Sequence, residues 1–592
     1  MGRPWARPAA AVSAVWLAGA LIFYRSVWSS GFDRLMGVPT DNRLVAYLCE
    51  HWFGVLHGQA SWRNPGFYFP VKGLLGWSDA FFLYLPAYVP LREFGCDPEV
   101  ALQVTLILLS ALGFATFYRV TTTMFGVGAR PALGAALVFT FGNDLYLHVD
   151  SPQLGGVYLL PGLVLLAGRA WQRRLTSPRR AGLIAAAAGA LYGLLFFTTF
   201  YVALFAGLAA AVAAGWSLVI GGLTRPRRRL RGGGRPPGLL VAAYSVGLAV
   251  GITPFLVTYL PVHASRGGVG EAEVLTFSPA WWSLLDTGSG NLVWGAVIHP
   301  LLPRVPPGAY ESTYAVTPVL LAALIGSAGW MARRLWAGRR LWAERAGPQV
   351  PPRPAGMVVA LTALTLMVLP VKLGGRPAWL LLWHLPGFDA IRAVDRLGVV
   401  TASLAVLAVT AAGDGGRRRV ALAVPSGPPA PNATPPPPVT SGPPRRHSSR
   451  ARRFGLGLLV ALVLAEQVNT AAVAGIDGPA DARLLASVKP PPPGCRYFYL
   501  LDTSAVDRGN SALPLFDLGS PISQVDAMLI AQKVGLPTLN GYTGGSPAGW
   551  HLDPIGGPGY LAAVRSWETA ERTGPGACTL DLTTLAWARQ TG

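Results

Sequence analysis

The sequence has little charge and little cysteine. Only 13% of its 592 residues are Asp, Glu, Lys or Arg, whereas 52% are hydrophobic, and the mean hydropathy is +0.40. Soluble domains carry about 25% charged residues. The composition therefore excludes an ordinary soluble protein and predicts a chain that crosses a membrane many times.

Acidic residues are scarcer than basic ones, with 28 against 49, and the net charge is +21. Much of the excess lies in short arginine-rich loops between apolar runs, at 172–180, 224–237 and 333–353. Loops of this kind stay on the cytoplasmic side. We therefore interpret the positive charge as a topology signal, with the N terminus inside and the C terminus outside, and expect no nucleic-acid partner.

Apolar runs of roughly 17–25 residues, the length that crosses a bilayer core, recur along the chain. They predict an all-α polytopic domain with about eleven spans. The predicted spans are 9–28, 99–120, 131–147, 154–171, 181–200, 201–222, 238–261, 314–332, 355–371, 396–413 and 454–474. The short apolar segment 79–91 contains two prolines, so we interpret it as a juxtamembrane or re-entrant helix. The first run could instead be the core of a signal peptide, which would leave the following loop outside as well.

This topology divides the chain into a transmembrane domain, 1–474, and an extracytoplasmic domain, 475–592. Alternation at 496–501 predicts a strand and helical periodicity at 522–534 predicts a helix, so we expect the second domain to be a small α/β module. The basic, proline-rich loop 414–453 has the composition of a disordered cytoplasmic segment. The predicted outer parts of the transmembrane domain are 29–98, 148–153, 262–313 and 372–395.

All four cysteines, Cys49, Cys96, Cys495 and Cys578, fall in predicted outer parts. An oxidising compartment would permit two disulfides. Sequence spacing does not fix the pairing, and four free thiols are the alternative.

The first outer loop is charged and aromatic. After Asp41, apolar residues recur at helical spacing up to Leu56, which predicts an amphipathic helix at the membrane interface. A carboxylate at the start of this helix could act as a general base on an acceptor hydroxyl. The alternative is that Asp41 only caps the helix. Glu50 and His51 match no zinc spacing, so surface positions on the helix are the alternative to a site.

The order of a first span, an Asp-bearing loop, a juxtamembrane helix and a second span resembles the GT-C superfamily. These are polytopic glycosyltransferases that use polyprenyl-phosphate-linked sugars, and the likeness is to a poorly characterised bacterial branch. The strings that carry it are Thr40-Asp41 with Glu50-His51, Phe67-Tyr68-Phe69-Pro70, Tyr146 to Gln153, Glu311 before a span, Pro386-Gly387-Phe388 with Arg392 and Arg396, Asp526-Ala527-Met528, and Leu539 to Gly544.

The resemblance implies an enzyme of the bacterial cytoplasmic membrane that passes a sugar, with inversion, from a polyprenyl-phosphate-linked donor to an extracytoplasmic glycan, lipid or protein. It implies Asp41 as the base, and Glu311 could assist Asp41 or orient a sugar hydroxyl. A lipid-phosphate leaving group calls for nearby cations, although each arginine could instead be an interface anchor. The substrate-binding candidates are Arg43, Glu50, His51, Asp79, His148, Gln153, Lys372, Arg392 and Arg396.

The chain also departs from better-known GT-C proteins. Its first loop shows no obvious Asp pair, and the sequence contains neither Asp-x-Asp nor Trp-Trp-Asp. A divalent ion such as Mg²⁺ or Mn²⁺ needs several oxygen ligands. Only Asp41 and Glu311 are candidates, so metal dependence stays open and no metal ligands are assigned. Two other classes fit a polytopic chain: a lipid or polysaccharide transporter, and a non-catalytic assembly protein. Against the transporter, we find no internal repeat and few ionisable residues in the spans apart from Glu466.

Overall fold

The computed structural model describes most of the chain, in segments separated by short gaps. The described residues are 6–224, 238–303, 314, 316–344, 355–414, 448–503 and 520–590. Glu311 and most of the proline-rich loop 414–453 lie outside them.

The described chain is mainly helical. The α-helices are α1 (Ala6–Phe23), α2 (Arg25–Ser29), α3 (Asp41–Leu56), α4 (Leu85–Glu93), α5 (Pro98–Thr123), α6 (Ala129–Thr140), α7 (Asn143–Leu147), α8 (Leu160–Arg173), α9 (Pro178–Thr198), α10 (Phe200–Thr224), α11 (Gly238–Arg266), α12 (Glu271–Thr276), α13 (Pro318–Glu344), α14 (Ala355–Val368), α15 (Gly398–Asp414), α16 (Ser448–Ala465), α17 (Gly478–Ser487), α18 (Pro521–Val534) and α19 (Tyr560–Ala570). The strands are β1 (Arg34–Leu35), β2 (Lys372–Leu373), β3 (Arg376–Pro377), β4 (Ile476–Asp477), β5 (Tyr497–Leu500), β6 (Ala577–Asp581) and β7 (Ala586–Arg589).

Within the described residues, six helices are long and apolar enough to cross a membrane, and α1 and α14 contribute shorter apolar helices. The six are Pro98–Thr123, Pro152–Arg173, Pro178–Thr198, Phe200–Gly221, Gly238–Arg266 and Val394–Gly413. The chain is therefore a membrane protein, whereas eleven spans and the N-in orientation stay predictions.

Three predicted spans differ from the observed helices. The segment 9–28 is divided at Tyr24, between α1 and α2. The segment 131–147 is divided, since α6 ends at Thr140 and α7 begins only at Asn143. The segment 454–474 is helical only as far as Ala465. The segments that follow the last two breaks meet: the Asn469 amide donates to the Asn143 side chain at 2.9 Å, so polar side chains bind each other where the apolar pattern predicted continuous helix.

Helices α9 and α11 pack side by side through glycines. A Cβ on Gly247 would lie 1.9 Å from the Ala186 carbonyl oxygen, and one on Gly251 would lie 2.1 Å from that of Ala190. Small residues allow such close backbone approach between membrane helices. Gly247 lies against Ala186 and Gly251 against Ala190, so α9 and α11 run in the same direction. The intervening helix in the sequence, α10, runs back in the opposite direction.

Glu466 has a structural position. Its carboxylate accepts hydrogen bonds from the backbone amides of Val319 and Leu320, at 3.0 and 2.9 Å, and from the Thr317 hydroxyl at 2.5 Å. These amides belong to the first turn of α13, where unpaired N–H groups and the helix dipole favour a negative charge. Glu466 therefore caps a helix, which gives a structural role to the ionisable residue noted within a predicted span.

The C-terminal part contains the sheet that the sequence predicted. Strands β5 and β6 are parallel, β6 and β7 are antiparallel, and α18 and α19 accompany them. A disulfide joins Cys495 to Cys578, whereas Cys49 and Cys96 are free thiols. One of the two disulfides that the compartment would permit is therefore present.

The C-terminal part is held against the first outer loop by backbone pairing. Strand β4 pairs antiparallel with β1, and the amides of Tyr68 and Phe69 donate to the carbonyls of Asn540 and Thr538 at 3.1 and 2.9 Å. Gly541 is required here, because a Cβ would lie 2.4 Å from the Tyr68 ring. Two of the strings that carry the family resemblance thus lie against each other.

Helix α3 forms where the periodicity predicted it, but its polar side chains are not on an open surface. Asn42, Arg43 and His51 are all buried. The reason is long-range: α5 and the C-terminal helix α18 cover α3.

Candidate functional site

Asp41 contacts the C-terminal domain directly. The Tyr542 hydroxyl donates a hydrogen bond of 2.7 Å to Asp41 Oδ1, and both residues are half-buried. Asp41 is the first residue of α3, Thr40 holds the cap position, and no side-chain cap bond forms at this helix start. The contact that the structure assigns to Asp41 is therefore with Tyr542, and the simple capping alternative is not what is observed.

Tyr542 is fixed as a donor by its surroundings. Burial, followed by the charge of Asp41 and the hydrogen bond to it, raises the pKa of Tyr542 well above its ordinary value, while the positive charge of Arg392 lowers it. The hydroxyl therefore keeps its proton at neutral pH and donates to Asp41. The charge of Arg392 is the smallest of these effects.

Asn42 fixes the backbone around Asp41. Its Oδ1 accepts from the Val38 amide at 3.0 Å, and its Nδ2 donates to the Val149 carbonyl at 3.0 Å. Its side chain also fills the place that a Cβ on Gly37 would need. The start of α3 is thereby tied to the predicted outer turn 148–153.

Arg43 lies in a buried ion cluster. Its guanidinium forms ion pairs with Asp526 at 2.7 Å, Asp481 at 3.2 Å and Glu99 at 3.3 Å, and its side chain is 1% exposed. Although burial opposes the charged form, the three carboxylates raise the pKa of Arg43 above its ordinary value. Burial raises the pKa of Asp481 in turn, with Arg43 opposing it. The cluster joins α3 and α5 to the C-terminal domain.

Glu50 and His51 make local contacts within the first loop. Glu50 accepts two hydrogen bonds from Arg92, at 2.7 and 2.8 Å, and one from the Tyr88 hydroxyl at 2.9 Å, which fastens α3 to α4. The His51 ring lies 3.3 Å from the Trp62 carbonyl oxygen, and burial lowers its pKa. The structure does not bring these two residues to Asp41.

Asp79 meets the N-terminus of α10. Its Oδ1 accepts from the Phe200 amide at 2.8 Å. Burial raises the pKa of Asp79 to about 7, against the effects of this hydrogen bond and of the charge of Arg396. Asp79 and Arg396, which lie far apart in sequence, are thus neighbours.

Tyr201, in the first turn of α10, links the two candidate arginines. Its hydroxyl accepts from the Arg392 amide at 3.2 Å, and the Arg396 guanidinium lies 5.7 Å from the centre of its ring. The Arg392 side chain is 37% exposed, 3.5 Å from Glu273. The Arg392 side chain is therefore partly exposed, in contrast to the enclosed Arg43.

His148 lies among buried acids. Its Nδ1 is 3.5 Å from Asp144 Oδ1, and its Nε2 is 3.8 Å from Asp395 Oδ2. Asp395 is directly followed by Arg396, so this group borders the arginine side of the site.

The other candidates are more separate. Lys372 donates to the Leu275 carbonyl at 3.0 Å, and burial lowers its pKa. Gln153 is half-buried in the 3₁₀-helix Pro152–Leu159. Glu311 lies outside the described residues. The structure thus joins Asp41 to Tyr542, and the first turn of α10 contacts Arg392, Arg396 and Asp79.

Sequence reasoning missed Tyr542 and Tyr201 as members of the site. The signal for Tyr542 was present, since it belongs to the Leu539 to Gly544 string, but nothing local indicates a contact with Asp41, 501 residues away. Tyr201 stands at the start of an apolar helix, where aromatic residues are common interface anchors.

No metal cluster is evident in this part of the chain. Across the described segments, no group of three or more His, Cys, Asp and Glu side chains could hold a metal ion. A divalent ion needs several oxygen ligands, so the described residues around Asp41 do not fit one, and no chemical step is assigned to a metal.

No protein-family model and no curated protein matches the sequence. Among solved structures, the arabinofuranosyltransferase AftD from Mycobacteria matches with a TM-score of 0.44 and 16% identity, over 85% of this chain and 30% of AftD. The Archaeoglobus fulgidus oligosaccharyltransferase, solved with Zn and sulfate, matches with a TM-score of 0.40 and 14% identity, over 90% of this chain and 62% of its own. This chain thus spans less than two thirds of the length of either structure.

Proposed function

We propose that the protein is a membrane glycosyltransferase that moves a sugar from a polyprenyl-phosphate-linked donor to an acceptor hydroxyl outside the membrane, with Asp41 as the general base. The observation that carries the proposal is the hydrogen bond from Tyr542 to one oxygen of the half-buried Asp41.

Asp41 suits the role of base because one of its oxygens is held and the carboxylate stays half-buried. Tyr542 binds Oδ1. Oδ2 is then the oxygen that takes the acceptor proton as the acceptor oxygen bonds to the anomeric carbon. A positioned base of this kind contributes about 10²–10⁴ to the rate. The new bond forms opposite the phosphate, which gives inversion.

The leaving group is a polyprenyl phosphate, and negative charge develops on its oxygen as the bond to the sugar breaks. We assign the stabilisation of this charge to Arg392, because its side chain is partly exposed, with Glu273 at 3.5 Å and the Phe277 ring at 5.3 Å, and its positive charge acts on Tyr542. Arg396 stands behind it on the other side of Tyr201. Preorganised cations stabilise such charge more strongly than water does. Arg43 is left out of this step, since three carboxylates already surround it.

The test is sugar transfer by the purified full-length protein. Radiolabelled decaprenyl-phosphate pentoses and hexoses would be offered with a membrane glycolipid extract as acceptor, and released decaprenyl phosphate would be measured beside the product. Asp41→Asn should lower turnover by about 10²-fold or more. Asp33→Asn, an exposed acid of the same loop, is the matched control and should keep full activity.

A correctly folded Asp41→Asn protein with unchanged turnover would remove Asp41 from the mechanism. Failure of the wild type to turn over any of these donors, together with movement of labelled lipid across liposomes, would favour the transporter instead.

A further inference from the structure

An apolar groove opens between three membrane helices on a side that the proposed reaction does not use. It has a volume of about 650 Å³ and is lined by residues of α5, α8 and α9, with α4 at one end. Leu112, Leu163 and Leu166 are typical of its walls. The space exists because Ala115 and Gly162 contribute so little side chain; a Cβ on Gly162 would meet only Thr116, at 4.0 Å.

Two arginines, Arg119 and Arg169, stand at one end of this groove. Both line it and both are exposed. Neither forms an ion pair with any carboxylate of the described residues. An isolated arginine at a helix end is commonly an anchor that reaches toward headgroups. Here two of them border one apolar cavity, which is the arrangement that complements a single phosphate carrying a hydrocarbon chain.

The arginine end faces away from the candidate site. Glu99, in the first turn of α5, pairs with Arg43 and so marks the C-terminal domain's side. Arg119 lies 20 residues further along α5, which is about 30 Å at 1.5 Å per residue. That is the thickness of a bilayer core. A phosphate at Arg119 would therefore lie in the opposite leaflet from Asp41.

We propose that the groove is a binding site for one anionic diacyl phospholipid, with its phosphate between Arg119 and Arg169 and an acyl chain along α5 and α8. The occupant is distinct from the sugar donor, whose phosphate would have to reach Asp41 at the other membrane face. This inference does not depend on the proposed transferase activity.

Native mass spectrometry of the full-length protein in detergent, titrated with dioleoyl phosphatidylglycerol, tests the site. Phosphatidylglycerol should bind more tightly than dioleoyl phosphatidylcholine. The double variant Arg119→Gln with Arg169→Gln should bind phosphatidylglycerol about tenfold more weakly, since each arginine near a membrane surface attracts anionic lipid. The matched control is Arg179→Gln with Arg180→Gln, two exposed arginines at the start of α9 that do not line the groove; it should bind as the wild type does.

A second variant separates the acyl chain from the headgroup. Gly162→Leu keeps both arginines but fills the groove, and its surroundings have room for the side chain, so it should lose the tightly bound phosphatidylglycerol. Equal affinity for both lipids, or an equal loss in the Arg179 and Arg180 control, would overturn the site in favour of diffuse attraction. Displacement of phosphatidylglycerol by decaprenyl phosphate in an Arg119- and Arg169-dependent manner would also overturn it, because the occupant would then be the donor's carrier lipid.

Discussion

Asp41 and Arg43 lie two residues apart on one helix, and both contact the C-terminal domain, yet their surroundings differ. Arg43 is enclosed, with three carboxylates within 3.3 Å and 1% of its side chain exposed. Asp41 is half-buried and receives one hydrogen bond from Tyr542. The charge of Arg43 is thus fully paired, whereas the Asp41 carboxylate can still accept a further hydrogen bond.

The difference teaches how to separate structural from functional charge in this loop. Residue type and location suggested a substrate role for both residues. The number of partners distinguishes Asp41 from Arg43. A charge that is already neutralised binds a ligand weakly, whereas removing that charge leaves its partners buried and unpaired.

Loss of Arg43 should give the largest effect on stability. Arg43→Met would leave Glu99, Asp481 and Asp526 facing each other without a cation, and removing one partner of a buried ion pair costs about 3–5 kcal/mol. We expect a lower thermal unfolding temperature in detergent and release of the C-terminal domain by limited proteolysis.

The control for Arg43 lies in the same interface. Arg34 also pairs with the C-terminal domain, through Asp477 at 3.0 Å, but its side chain is 54% exposed. Surface ion pairs contribute about 0–1 kcal/mol, so Arg34→Met should unfold nearly as the wild type does. If the Arg43 and Arg34 variants were equally stable, the buried cluster would not be what holds the two parts together.

Loss of the Tyr542 hydroxyl should affect turnover more than stability. Tyr542→Phe removes one hydrogen bond, worth about 1 kcal/mol of stability. We expect kcat for sugar transfer to fall about tenfold, with KM little changed, because Tyr542 orients the base rather than the sugar.

Tyr560→Phe is the matched control, because its hydroxyl donates at 2.8 Å to the Leu500 carbonyl inside the same domain, away from Asp41. It should lose similar stability and leave kcat unchanged. An unchanged kcat in Tyr542→Phe would reduce the Asp41 contact to a structural one.

The sequence predicted local features well, and the reasons are local. Hydropathy located α5, α9, α10 and α11, since an apolar run of sufficient length has few other uses. Periodicity located α3 and α18. The breaks after Thr140 and Ala465 were missed; the residues that follow them include Asn143 and Asn469, which bind each other across 326 residues, a contact that no local pattern indicates.

The candidate site was predictable in part. Asp41, Arg392 and Arg396 were found through short strings, but their arrangement depends on long-range contacts. Nothing near Arg43 in sequence indicates that Asp481 and Asp526 will cover it, and nothing near Asp41 indicates Tyr542. The number of partners that a charged side chain has depends on the folded chain. Asp41 and Arg43 were both site candidates in the sequence, and only the structure distinguishes them.

Substitution of Asp79 should have the smallest effect of the three. Its surroundings are intermediate between those of the enclosed Arg43 and the half-buried Asp41. Its carboxylate is shielded like the Arg43 cluster, but it has a backbone amide and the more distant charge of Arg396 as partners. Burial raises its pKa from 3.8 to about 7. The folded state therefore favours the protonated acid, and this contribution to stability is complete below pH 3.8 and is lost as pH rises through about 7.

Asp79→Asn keeps an acceptor for the Phe200 amide but cannot ionise. Its thermal stability should therefore decline less than that of the wild type between about pH 4 and pH 7, as measured by unfolding temperatures across that interval. Asp33→Asn, which removes an exposed acid, should reproduce the wild-type slope. If the unfolding temperatures of Asp79→Asn and the wild type changed with pH in parallel, Asp79 would be ionised throughout this interval. Its carboxylate would then resemble the accessible Asp41 rather than the enclosed cluster around Arg43.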